Sequence, residues 1–228
     1  MANRIAPHAY RMAPKPYTLP AGTELWRCHK STRPADGFNP VAVDAHFGGN
    51  RFDGTADDPY PYLYAGAGPA TALAEVFLRD LDFDVATGMR LLPYAAIAGK
   101  SLSVLRTRTD LTLIPLLTEE DLADVCQDSW LLEADGPSYA QTRRWAAELR
   151  AQVPTAQGLV WQSRRHRPRQ AMVFFGDRCA DEPFKDGGDG ADGDPAGAGI
   201  PDLGSPGGLA KLNRLLAPLR AAVVPPAG

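Results

Sequence analysis

Glu75 is the only acidic residue in YLYAGAGPATALAEVF, residues 62 to 77. A lone carboxylate on an otherwise apolar stretch has two readings. It can be an exposed partner of Arg79 one helical turn on, or a group at a pocket edge that stabilises positive charge or accepts a proton. Two arginines pose a related question. Arg27 lies between Trp26 and Cys28 in ELWRCH, where burial without a partner would be costly, so it should face solvent or meet an anion. Arg51 follows Gly48 and Gly49 in GGNR, and a guanidinium beside bare backbone suits a phosphate, although the motif alone is weak. Tyr60, Tyr62 and Tyr64 alternate, so they should share a face, either as core or as a wall for an aromatic ligand. Ser163 opens SRRHRPRQ, which holds four arginines and a histidine in eight residues, either a solvated loop or an electropositive rim. No G-x-S-x-G elbow surrounds Ser163, which argues against a serine triad. No metal site is expected, since the only close Cys and His are the adjacent Cys28 and His29.

The elements that must position these groups can be read from pattern. ELWRC (24–28) and YLYAG (62–66) read as strands, and the turn-rich stretch from 30 to 61 between them as a long loop of functional type. PATALAEVFLRDL (69–81) reads as a helix with Pro69 in its first turn and a core stripe of Ala70, Leu73, Ala74, Phe77 and Leu81. MRLLPY, SLSVLR and DLTLI read as short strands, and Thr118 as the cap of TEEDLADVC. Residues 138–153 read as an amphipathic helix burying Trp145, Ala146 and Leu149, with Arg143, Arg144 and Glu148 outward. GLVWQS and AMVFFG read as strands flanking the basic loop. Short strands with a few helices between them indicate an α+β domain. The expected organisation is an extended arm over 1–22, a catalytic domain over 23–180, a flexible Gly/Asp/Pro segment over 181–208, and a short helix and tail over 209–228.

Composition narrows the class. The 228 residues are 44% hydrophobic and 22% charged, as in an ordinary globular domain. A formal charge of −3 argues against nucleic acid as main partner. No apolar run reaches membrane-spanning or signal-peptide length, so a cytoplasmic location is the expectation. The three distant cysteines read as reduced thiols.

In order along the chain, LWRCH, GGNRFD, YLYAGAGPATALAE and GLVWQSRR resemble the RES domain family, named for Arg, Glu and Ser, over residues 24 to about 178. The resemblance implies a fold like that of ADP-ribosyltransferase toxins. It also implies an activity: NAD degradation by cleavage of the nicotinamide–ribose bond, through phosphorolysis or hydrolysis. Under it Glu75, Arg27 and Ser163 are the implied catalytic residues. Arg51, Tyr64, Gly48 and Gly49 are implied to bind substrate. NAD is then a substrate rather than a cofactor, with inorganic phosphate as a co-substrate. The resemblance implies an Xre-type antitoxin as partner; a homo-oligomer is a separate expectation, and no membrane is expected. Cys28 departs from the family, where an aromatic or aliphatic residue is common after the arginine. A mono-ADP-ribosyltransferase, or a nucleic-acid-binding module using residues 164–169, are the competing readings.

Overall fold

The computed structural model describes residues 7–187 and 199–224. Among these residues, ten strands and six α-helices form an α+β domain. Eight strands make one mixed sheet in the order β1 (Tyr17–Leu19), β6 (Leu111–Leu116), β7 (Gly158–Gln162), β8 (Gln170–Phe175), β3 (Tyr62–Gly66), β2 (Glu24–Lys30), β5 (Lys100–Thr107) and β9 (Phe184–Asp186). Only β6 and β7 run parallel within it. A separate parallel pair joins β4 (Arg90–Pro93) to β10 (Ala221–Val224).

The seam between β2 and β3 decides where a ligand can enter. On its far edge β2 pairs with β5 along its whole length, from Glu24 opposite Arg106 to Lys30 opposite Lys100. Against β3 it pairs at a single position, Trp26 opposite Gly66. Beyond that point the strands part, so Arg27 to Lys30 on one side and Tyr62 and Tyr64 on the other border a cleft rather than a ladder. The long loop from 31 to 61 closes the exposed edge of β3, with Asn39 and Tyr62 exchanging backbone N–H···O bonds of 2.8 and 3.0 Å. Edge groups that would otherwise be orphaned are satisfied without a further strand.

Helix α1 (Pro69–Phe77) starts directly after this seam, with Pro69 in the first turn and Leu78 as its C-cap. It is shorter than the expected 69–81, and its buried set is rotated to include Thr71 and Ala72 beside Leu73 and Ala74. The rotation follows from packing on two sides, against β2 and β3 on one and against the C-terminal helix α6 (Pro206–Leu216) on the other. Gly66 permits the close approach: a Cβ there would lie 2.8 Å from the Ala72 nitrogen. Helix α5 (Tyr139–Gln152) covers the other end of the same face through Trp145, Ala146 and Leu149. On the opposite face, Leu25, Leu63, Leu105, Leu113, Phe174 and Phe184 come from both halves of the sheet, which curls over them as one core.

Two expectations about local structure change. Arg143, expected outward on α5, is 3% exposed. It points into the 44–50 loop, where Nη1 donates to the carbonyls of Gly48 and Asn50 and Nη2 to those of Asp44 and Ala45. A planar fork with several donors can organise a loop that has no ladder of its own. The segment expected to be flexible over 181–208 includes 188–198, outside the described residues. Its described flanks bury Phe184, Ile200 and Leu203 completely or nearly so, and α6 begins within it, at Pro206. Ser205 caps α6 by accepting from the Gly208 nitrogen at 3.1 Å.

Candidate active site

The cleft at the β2–β3 seam has a volume of about 340 Å³. Arg27, Arg51, Tyr64 and Glu75, drawn from β2, the loop, β3 and α1, all line it. Ser163 joins them through Glu75: its hydroxyl, fully buried just past β7, donates to Glu75 Oε1 at 2.7 Å. The serine is itself held by its own N–H donating to the Arg169 carbonyl at 2.7 Å. Glu75 is therefore no exposed partner of Arg79; it is a half-buried carboxylate with one oxygen oriented from behind.

Among the described residues, Glu75 is also the only carboxylate lining the cleft, against the cations Arg27, Lys30, Arg33, Arg51, Arg79 and Lys100. Arg27 is 6% exposed, and its Nη1 donates to the carbonyls of Ala35 and Gly37 at 2.6 and 2.7 Å. Burial, with Arg33 nearby, lowers its pKa to about 10, so it remains a cation at neutral pH. Arg51 is buried still more deeply, and its Nε and Nη2 have no hydrogen-bond partner. Burial lowers its pKa, an effect the negative charge of Glu75 opposes. A buried guanidinium with unpaired donors in the wall of a cleft suits an anion.

Tyr64 does more than present a ring. Its hydroxyl donates to Asp53 Oδ1 at 2.9 Å and accepts from the Phe52 nitrogen at 3.1 Å, tying β3 to the arginine loop. Burial, then the Asp53 carboxylate, pushes its pKa well up, so it stays a donor. Asp53, nearly fully buried, also accepts from the Asn50 nitrogen at 2.8 Å. This small network sets the turn that carries Arg51. Tyr60, Tyr62 and Tyr64 do share a face, in mutual edge contact and packed with Phe52 and Trp161.

Gly48 and Gly49 both have positive φ, 63° and 70°, and a Cβ on Gly49 would strike Val43 at 2.9 Å. They do not line the cleft; the carbonyl of Gly48 turns to Arg143 instead. The basic loop after Ser163 is likewise engaged within the fold. Arg165 donates twice to the Arg79 carbonyl, His166 Nδ1 lies 2.9 Å from Thr71 Oγ1, and Arg167 pairs with Glu133. Cys28 lines the cleft, and burial raises its thiol to about 12. Asp53, Arg79 and Trp161 are site residues to which sequence reasoning gave no role, although Asp53 and Trp161 stand inside the motifs GGNRFD and GLVWQSRR and Arg79 lies one turn from Glu75.

The family model of the RES domain matches residues 24–190. The chain belongs to the RES domain family. A solved neighbour is the MbcT toxin in the crystal structure of the M. tuberculosis MbcT–MbcA toxin–antitoxin complex, 17% identical with a TM-score of 0.50. That match covers 74% of this chain and 82% of the other. None of the curated proteins matches the chain. At this identity the likeness shows the fold of the RES domain protein. No helix among the described residues is long and apolar enough to cross a membrane.

Proposed function

We propose that this RES domain protein consumes NAD by cleaving the nicotinamide–ribose bond, transferring the ribosyl carbon to phosphate or water. The observation that carries this reading is Glu75, a lone carboxylate held by a buried serine in a cleft otherwise bordered by cations. Such a cleft suits a substrate that is anionic along its length and develops one positive charge during reaction. In NAD the diphosphate supplies the anion, and C1′ becomes oxocarbenium-like as its bond to the nicotinamide nitrogen breaks. The bonding pair leaves on nicotinamide, and an oxygen of phosphate or water supplies the pair for the new C1′–O bond. Glu75 stabilises the developing cation and accepts the proton when water is the nucleophile, the double role of carboxylates in glycoside hydrolysis. Ser163 keeps Oε1 occupied, so the second oxygen is directed to the reacting carbon. Arg27 and Arg51 hold phosphate oxygens, and Tyr64 forms the wall by the ribose.

The toxin–antitoxin complex of the solved neighbour supports a further assignment. The chain would be the toxin of such a pair, acting on cytoplasmic NAD and restrained by an Xre-type antitoxin. Incubation with NAD, with and without phosphate, followed by mass spectrometry tests the chemistry. ADP-ribose-1″-phosphate marks phosphorolysis, free ADP-ribose marks hydrolysis, and a heavier macromolecule marks transfer. Glu75→Gln is expected to cut NAD loss by about a hundredfold or more, the scale of losing one preorganised electrostatic group. Intact NAD with wild-type protein overturns the proposal.

A further inference from the structure

Arg51 and Arg79 converge on one aromatic ring. Their guanidinium carbons lie 5.9 and 5.1 Å from the ring centroid of Tyr139, the first residue of α5. Phe52 supports Arg51 from a second direction at 5.7 Å. Both arginines line the cleft, yet neither has its donors filled. Arg51, 3% exposed, leaves Nε and Nη2 without a partner. Arg79 gives Nη2 to Asn50 Oδ1 at 3.2 Å. Its buried Nε makes no hydrogen bond, meeting only the largely exposed Asp80 carboxylate as an ion pair at 3.5 Å. The Tyr139 hydroxyl is buried and unpartnered as well. Burial raises the Tyr139 pKa, so the ring stays uncharged beside the two cations.

Arg79 acts as a like charge on the buried Arg51, and with donors left over this is a costly arrangement. Glu75 bonds Ser163 through Oε1 and, among the described residues, makes no ion pair with either arginine. A ring face under each cation offsets part of the repulsion. What would complete the site is an oxyanion with more than two oxygens and up to two charges, able to accept from both forks at once.

We propose that Arg51, Arg79 and the Tyr139 ring form a seat for one phosphoryl group, in which Arg79 determines anion specificity and Tyr139 positions both guanidiniums. The assignment deepens the reading of the cleft as an NAD site and rests on it. The phosphoryl group has two sources, the diphosphate of the nucleotide or free inorganic phosphate acting as nucleophile.

The test is calorimetric titration of the full chain with inorganic phosphate and, separately, with ADP-ribose. Arg79→Gln is expected to weaken at least one of them about tenfold or more, as loss of a hydrogen bond to a charged group should. Tyr139→Leu is expected to do the same, and Tyr139→Phe, which keeps the ring, to bind within about threefold of wild type. Mutual exclusion of phosphate and ADP-ribose assigns the seat to the diphosphate; simultaneous binding assigns it to free phosphate; either upholds it. Wild-type affinity for both ligands in folded Arg79→Gln overturns the seat, as does failure of the wild-type chain to bind either. Should Tyr139→Leu not fold, Arg79→Gln and Arg79→Lys carry the test alone. Phosphate bound through Arg79 by a protein that leaves NAD intact would sink the proposed function while upholding the seat.

Discussion

At the scale of single residues, the pairing of Ser163 with Glu75 is the contact on which most depends. The serine hydroxyl donates to the carboxylate at 2.7 Å. Under the proposed function its role is to orient Glu75 rather than to attack. Ser163→Ala should lower NAD turnover by about ten- to a hundredfold, matching a hydrogen bond to a charged group of about 1.5–3 kcal/mol. The rate constant should fall more than the Michaelis constant rises, since the lost contact acts on the reacting carbon. Steady-state kinetics on the two proteins checks this. His166 offers a second residue-scale outcome. Burial, then Arg169, lowers its pKa below the ordinary 6.5. The unfolded chain therefore takes up this proton at a higher pH than the folded one. The stability it contributes is complete above pH 6.5 and declines as pH falls below that value. Thermal melts between pH 7 and 5 should show the decline, and His166→Gln should make it shallower.

At the scale of elements, the β3–α1 junction sets the position of Glu75. Gly66 is both the last residue of β3 and the one that faces Trp26 across the seam. Its missing side chain lets α1 pack with the Ala72 nitrogen where a Cβ would be 2.8 Å away. Gly66→Ala should therefore push α1 outward, destabilising the protein by about 1–3 kcal/mol through overpacking. The same shift should lower turnover, because Glu75 moves while Ser163, just past β7, does not. Denaturant unfolding and kinetics on one preparation read both effects.

At the scale of the whole molecule, the site depends on a segment that the family match does not reach. The match ends at 190, whereas α6 and β10 span 206–224 and pack behind α1. Leu212 and Leu216 are fully buried in the cluster that also holds Leu73, Leu78 and Leu203. Leu216→Ala should cost about 2–5 kcal/mol, a large share of the roughly 5–15 kcal/mol that stabilises a domain. Equilibrium unfolding measures it, and the midpoint should drop without a change in the pairing of β2 with β5.

The sequence by itself determined the elements whose signals are local. Pro69 opens α1, Thr118 caps the helix Glu119–Asp124 in a capping box, and the alternating tyrosines share one face, because propensity, capping and period act over a few residues. It also carried the motif order of the RES domain. Tertiary structure alone decided that Glu75 bonds Ser163 rather than Arg79, that Arg143 turns inward to hold the 44–50 loop, and that Gly48 and Gly49 lie off the cleft. Each of these contacts joins residues 88 or more positions apart, or depends on one that does, as with the 95 residues between Gly48 and Arg143. Periodicity carries no information at such separations. Where β2 parts from β3 after a single pair, the register of two distant strands creates the cleft, and no local pattern in either strand encodes it.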